Sequence, residues 1–391
     1  MAKNRGERIE KNSHLFSMLF PLFVGLMLLF LASLKLQVSV SADEAEAAYL
    51  TKGSWLDIIG FSANQPLYYI VLKIWSAVFG TTDVAMRFMS VFFGFVTIIF
   101  IFQIIKKAFG TKAAALGTVF AAALPVFIKS AQIMQPPMMA LMVVAAATFC
   151  LMYCLENKKY WFFYAVLVVL GLLTHISTLP IFMVQLALVI KPFDKKNKVI
   201  YWLLILAIVL AVINNILFGD IYIIYSVVTI WALLGVAIVL MKNVTLKAMM
   251  SVVVIVVTGF GVVLNLNSKP EGHITEILSE TFIGAEEGQP ILISNADDYL
   301  EAIFYNNAKY PIYAFSDILD GARNEEMINR YRINIIDNKD EFLAQHENVW
   351  YIMPKPEEGK EYEIPEWAKD LRVTSEISLN YHAALRFSSG E

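Results

Sequence analysis

Residues 15–34 run for 20 positions without a charge. As a helix such a run rises about 1.5 Å per residue and covers about 30 Å, the hydrocarbon thickness of a bilayer. This constrains the chain more than any other feature, because in lipid every backbone N–H and C=O must be bonded internally. Further apolar runs follow at 88–105, 113–128, 136–155, 160–190, 199–219, 221–241 and 248–268. Of 391 residues 58% are apolar and 17% charged, whereas a soluble domain carries about a quarter charged. The chain reads as an α-helical multi-pass membrane protein. A cleaved signal peptide is the rival for the first run, with Val40-Ser41-Ala42 offering small residues before Asp43. A signal core is about 7–15 residues long, so the run is read as an uncleaved first helix.

Charge sets the expected topology, since short cytoplasmic loops collect Lys and Arg. Lys3, Arg5, Arg8 and Lys11, the 106–112 turn, 158–159, 191–198 and 242–247 fall inside on this rule. Both flanks of 160–190 are then inside. That uncharged run is read as two short helices folded at His175, against the alternative of one long span that would place the C-terminus inside. The expectation is about nine membrane passes, two of them short. The N-terminus is cytoplasmic, and the 36–87 loop, the 130–137 turn, the His175 bend and residues 269–391 are outside. Within the loop, residues 66–79 are apolar and aromatic but carry Lys73 midway and are too short to span. Tyr68, Tyr69 and Trp75 suit the headgroup level, so this stretch is read as an interfacial helix.

After Pro270 the composition becomes that of a soluble domain. Strands are expected at 290–294, 311–315, 332–336 and 349–353, with helices at 296–307 and near 339–346. Alternating strands and helices predict a small extracytoplasmic α/β domain. The expected division is therefore a membrane domain over 1–268, with the outer loop holding an acidic motif, and the α/β domain over 269–391. No Gly-rich phosphate loop of the nucleotide type is present. With a net charge of −3 and no basic domain, nucleic acid is excluded as a partner. Cys150 and Cys154 lie four apart in one apolar run and read as buried thiols; no metal site is assigned, because further ligands are lacking nearby.

The polar residues at the expected outer edge each have a plain reading and a chemical one. Asp43, Glu44 and Glu46 either cap the first span or serve as a general base towards an acceptor hydroxyl attacking a sugar carbon. His175 either stabilises broken helix backbone or contacts a phosphate or sugar. Lys52, Lys73, Arg87 and Lys129 either snorkel to headgroups or cradle a lipid phosphate; Arg87 and Lys129 border spans and are the stronger candidates. Gln132 and Gln135 either bind sugar or phosphate or are polar turn residues. Asp220 reads as a loop residue. Among Asn295, Asp297 and Asp298, a helix N-cap accounts for one.

The order of several short motifs carries a resemblance. Ala42-Asp43-Glu44 follows the first span, then Asn64-Gln65-Pro66-Leu67-Tyr68-Tyr69, Phe79-Gly80, Ala85-Met86-Arg87-Phe88, Lys106-Lys107-Ala108-Phe109-Gly110 and Gly171-Leu172-Leu173-Thr174-His175. Over residues 10–195 this resembles the membrane glycosyltransferases of the GT-C fold, of the bacterial protein mannosyltransferase and aminoarabinose transferase type. The resemblance implies Asp43 as catalytic base with Glu44 beside it. It implies a sugar donor linked to polyprenyl phosphate, membrane lipid as a partner, and no nucleotide. Two departures stand out. Asn64-Gln65-Pro66 replaces a His-Pro-Pro common in the family, and Gln132-Ile133-Met134-Gln135-Pro136-Pro137 lacks the acid and Arg of the second outer loop. The expected activity is inverting transfer of a sugar from a polyprenyl-phosphate donor to a glycan, lipid or protein acceptor at the outer face. The alternatives are a non-catalytic polyprenyl-lipid-binding protein of the same fold and a transporter or flippase. Transporters collect ionisable groups at mid-membrane in repeated halves, and neither feature is found.

Overall fold

The computed structural model describes residues 2–61, 65–154, 156–190, 224–267, 274–306, 310–316, 334–356, 360, 362–379 and 381–388. These fall into two compact units: residues 1–37 with 51–268, and residues 38–50 with 269–391. Residues 38–50, expected within the outer loop, thus cluster with the C-terminal segment.

The first unit is helical. Its first helix, α1 (Ala2–Ser33), is followed in sequence by α2 (Ala42–Lys52), whose residues to Leu50 belong to the second unit. Then come α3 (Trp55–Phe61), α4 (Pro66–Phe79) and α5 (Asp83–Phe109). Pro66 occupies the first turn of α4, where a missing N–H costs nothing. Thr82 starts α5 by accepting a hydrogen bond from the Ala85 N–H at 3.2 Å. Asp83 in its first turn and Lys106 and Lys107 in its last complement the helix dipole.

The apolar run at 113–128 does not form one straight span. It is divided between α6 (Thr111–Ala122) and α7 (Pro125–Gln132), which meet at 61°. The cause is Pro125, which cannot donate and holds Leu124 extended at φ −63°, ψ 131°. Next come α8 (Pro137–Cys154), α9 (Tyr160–Thr174) and α10 (Leu179–Ile190), with a 3₁₀ turn over Ile176–Thr178. The 160–190 run therefore breaks at His175. The last two helices of the unit are α11 (Ile224–Leu240) and α12 (Val244–Asn267). Leu15–Ser33, Asp83–Phe109, Pro137–Cys154 and Val244–Asn267 are each long and apolar enough to cross a membrane, and the bent pair gives a fifth candidate among the described residues. The run expected at 199–219 and Asp220 lie outside the described residues.

Small residues set the helix contacts. A Cβ on Gly25 would stand 2.5 Å from the Phe95 ring, and one on Gly94 would stand 3.1 Å from Leu28, so α1 and α5 run antiparallel and close at this level. Between α6 and α11 the approach is backbone to backbone: a Cβ on Gly235 would lie 2.6 Å from Gly117 Cα.

The second unit holds a six-stranded sheet in the order β3-β2-β1-β4-β6-β5. Its strands are β1 (Ile291–Ile293), β2 (Ile312–Phe315), β3 (Asn334–Ile336), β4 (Asn348–Pro354), β5 (Arg372–Ser378) and β6 (His382–Ser388). The first four are mutually parallel, and β6 and β5 join as an antiparallel pair. Among the described residues this unit also holds, beside α2, the helices α13 (Ile274–Gly284), α14 (Ala296–Tyr305) and α15 (Lys339–Gln345). Leu292, Phe315, Ile336, Phe342 and Val349 form one of its cores. The four expected strands and the helices at 296–307 and 339–346 are present in this α/β arrangement; α13 and the β5–β6 pair were not expected.

The glycine contacts predict a matched pair of results. Gly235→Ala puts a methyl against fixed backbone and is expected to destabilise by about 1–3 kcal/mol. Gly259→Ala, on α12 with nothing within 4 Å of its Cβ position, is expected to be neutral or to gain up to about 1 kcal/mol from helix propensity. Thermal unfolding of the two variants in detergent checks this.

Candidate active site

The polar residues of the helical unit gather where α1 ends. The last carbonyls of a helix have no partner inside it, and here other segments supply them. Gln132 Nε2 donates to the Leu31 and Ala32 carbonyls, each at 3.4 Å. Gln132 Oε1 accepts from Asn265 Nδ2 at 3.4 Å. Arg87, buried on α5, donates from Nη1 to the Leu36 carbonyl at 3.1 Å. Lys35 Nζ donates to the Asn265 carbonyl. Burial first, and the nearby charge of Lys129 second, hold the Lys35 ammonium below its ordinary pKa. Lys129 itself is exposed on α7. Of the expected residues, Arg87 and Gln132 thus bond to the same end of α1, and the charge of Lys129 is felt there through Lys35. Lys35 and Asn265 were not anticipated. Lys35 had a signal, being the first charge after the 20-residue apolar run.

The other expected residues of this unit lie elsewhere. His175 is held in its own break: its Nδ1 accepts from the Ser177 N–H at 3.0 Å and meets Ser177 Oγ at 2.8 Å. Ser177 Oγ in turn meets the Tyr225 hydroxyl at 3.2 Å, and Thr178 Oγ1 donates to the His175 carbonyl at 2.9 Å. Lys73 donates to the Gly53 carbonyl and stands 5.0 Å from the centre of the Trp55 ring. Gln135 is half-buried at the turn before α8.

The acidic motif is built into the second unit. Ser41 precedes α2, and its N–H donates to Glu44 Oε2 at 3.0 Å, with Ser41 Oγ at 3.4 Å from the same oxygen. This is the Glu-to-backbone half of a capping box, Ser-x-x-Glu. Glu44 is 2% exposed, whereas Asp43 beside it faces outward. The two carboxylates therefore do different work: Glu44 closes the helix start and Asp43 is the accessible one. The Val40 N–H donates to the Tyr305 hydroxyl at 2.8 Å, and Ser39 bonds Thr275. On α14, Asn295 is the N-cap, accepting from the Asp298 N–H at 2.8 Å. Asp298 Oδ2 also meets His382 Nε2 at 3.0 Å.

One turn further along α14 lies Glu301, which the sequence reading passed over. It is buried, and its Oε2 has no hydrogen-bond partner among the described residues. Burial chiefly, then the charges of Asp298 and Asp297, push its carboxyl up to about 8; the Ile274 N–H pulls back, and Glu44 adds a smaller push. Among the described residues no group of three or more His, Cys, Asp or Glu is placed to hold a metal ion.

Comparison with known proteins places this architecture. The family model described as dolichyl-phosphate-mannose-protein mannosyltransferase matches residues 63–218. The structure of ArnT from Cupriavidus metallidurans bound to undecaprenyl phosphate superposes with a TM-score of 0.56 at 12% identity, covering 94% of this chain and 97% of that one. Its apo structure gives the same TM-score and identity over 96% and 98%. The fold is that of the GT-C membrane glycosyltransferases. With that fold and its long apolar helices, this chain is a multi-pass membrane protein with a small sheet domain at its C-terminal end. A search of curated protein sequences finds no match.

Two predictions follow from the acidic unit. Glu44→Gln, which keeps the capping box, is expected to leave α2 intact. Glu44→Ala is expected to cost about 0.5–2 kcal/mol of helix stability, read as faster amide exchange over residues 42–46. Glu301 ionises in the unfolded chain near its ordinary value of 4.5 but in the folded one only near 8. Folding thus loses nothing from it below about pH 4.5, loses stability progressively as pH rises, and bears the whole loss above about pH 8. Glu301→Gln is expected to match wild type at pH 4.5 and exceed it at pH 8 in thermal unfolding of the full chain.

Proposed function

We infer that this protein is an inverting glycosyltransferase using a sugar carried on polyprenyl phosphate, acting at the outer face of the membrane. One observation carries the reading: the fold matches, over nearly the whole length of both chains, a protein crystallised with undecaprenyl phosphate. The dolichyl-phosphate-mannose family model points to the same donor class. The distribution of Lys and Arg supports an inside N-terminus and an outside C-terminal domain.

Asp43 is the general base. It takes the proton of the acceptor hydroxyl as that oxygen bonds to the anomeric carbon. The bond from that carbon to the phosphate oxygen breaks on the opposite side, and the electron pair leaves with polyprenyl phosphate. A phosphate is a good leaving group and needs no strong acid. Within the helical unit, Arg87 or Lys129 is the residue expected to hold a lipid phosphate, where positive charge suits a phosphate that leaves. Glu44 fixes the helix start that carries Asp43 and takes no proton. A second reading, lipid binding without turnover, draws on the 132–137 turn, which lacks an acid and whose Gln132 bonds to α1 carbonyls.

Purified protein in lipid, supplied with a panel of polyprenyl-phosphate sugars, tests both readings through release of polyprenyl phosphate. Wild type is expected to release it from one donor. Asp43→Asn is expected to be slower by about 10²–10⁴-fold, the usual worth of a general base. Donor binding with no release from wild type would favour the second reading. Equal release by both proteins would remove Asp43 from the chemistry.

A further inference from the structure

The helices α1 and α5 that close tightly at Gly25 and Gly94 part at their other end. Their antiparallel register continues through Phe20 and Phe102, whose rings are 5.9 Å apart. On both sides of that level an open groove of about 410 Å³ lies between them, lined by Ser17, Pro21 and Leu22 of α1 and by Ile99, Gln103 and Lys106 of α5, among others. Its size falls in the range of ligand clefts, about 300–1,000 Å³. Pro21 lies inside α1. It cannot donate to the Ser17 carbonyl, and its ring crowds that turn, which is the usual cause of a bent helix. On α5, Ile99, Gln103 and Lys106 recur at i, i+4 and i+7 and share one face.

The groove is graded from apolar to charged. Leu22 and Ile99 form its inner part, and Gln103 and then Lys106 its mouth. The neighbouring lysine is engaged: Lys107 pairs with Glu156 at 2.9 Å and sits 3.2 Å from the centre of the Tyr153 ring. The half-buried Lys106 ammonium has no ion pair or hydrogen bond among the described residues. A single uncommitted cation at the rim of an apolar channel, at the level where a span ends, matches one kind of molecule. That molecule has an acyl chain and an anionic phosphate headgroup, as a membrane phospholipid has. Lys112 in the first turn of α6 and Lys158 and Lys159 between α8 and α9 belong to the segments expected on the same side of the membrane, and basic residues at a membrane surface draw anionic lipid.

We propose that the α1–α5 groove is a binding site for an anionic phospholipid, with the acyl chain along Pro21, Leu22 and Ile99 and the phosphate held by Lys106 and Gln103. The site is separate from the residues assigned to transfer, none of which lines it.

The test is native mass spectrometry of the purified full chain incubated with phosphatidylglycerol or phosphatidylcholine. Wild type is expected to retain phosphatidylglycerol in preference. Lys106→Gln is expected to lose about five-fold in that preference, the worth of one surface lysine towards anionic lipid. Lys107→Gln is expected to keep it. Pro21→Leu, which puts a bulkier side chain into the groove lining, is expected to retain less of both lipids. The proposal is overturned if Lys106→Gln retains phosphatidylglycerol as wild type does, or if Lys107→Gln loses as much. It is overturned equally if undecaprenyl phosphate at equal concentration displaces phosphatidylglycerol, since the groove would then belong to the donor lipid.

Discussion

The helical unit depends on one requirement: backbone groups left open where a helix ends or breaks must find partners within the protein. An unpaired carbonyl in a hydrocarbon setting costs several kcal/mol, more than most single contacts return. Around the end of α1 the Leu31 and Ala32 carbonyls accept from Gln132, and the Leu36 carbonyl, just past the helix, accepts from Arg87. At the 160–190 break, His175, Ser177 and Thr178 close the chain on itself. The polar residues of an apolar chain are therefore spent first on holding its discontinuities. The same act fixes them in place. A buried guanidinium bonded to the end of α1 is already oriented, and the negative end of that helix dipole favours its charge.

This explains what could be read from the sequence and what could not. Apolar runs of span length announce themselves, and so do the lysines that separate them. The break at Leu124 was harder to see, although Pro125 stood in plain view, because an unbroken apolar run hides where it bends. Strands β1 to β4 are short, apolar and bounded by turn residues. The edge strand β5 is almost wholly exposed and has no alternating pattern, so only its pairing with β6 defines it. Gln132 and His175 were recognised as special residues whose use stayed open; bonds to distant carbonyls and turns leave no local signature. Arg87 was singled out for its charge, but its carbonyl partner lies 51 residues away.

The Asp43-Glu44 pair shows how one motif can carry two meanings. Ser41-x-x-Glu44 is a capping signature, and Ala42-Asp43-Glu44, which carries part of the resemblance, lies within the same four residues. Geometry separates them. Adjacent residues on a helix point about 100° apart, so a Glu44 folded back on Ser41 leaves Asp43 on another face. Burying Glu44 while exposing Asp43 is a consequence of the cap, not an independent feature. A base needs an accessible carboxylate on a backbone that does not move, and the capping box supplies the second condition for the first residue.

Glu301 completes that argument from the opposite side. The segment that bears Asp43 belongs to a unit where α14 contributes Asp297, Asp298 and Glu301, and where Glu44 is also buried. Four carboxylates in one neighbourhood repel, and a buried one has little water to screen it. The least costly solution is for a buried group with an unpartnered oxygen to keep its proton, and Glu301 is such a group: its Oε2 has no hydrogen-bond partner among the described residues. Asp298, by contrast, has the Asn295 amide and His382 beside it. Charge is thus withdrawn from the interior of the unit and left at its surface, where Asp43 stands.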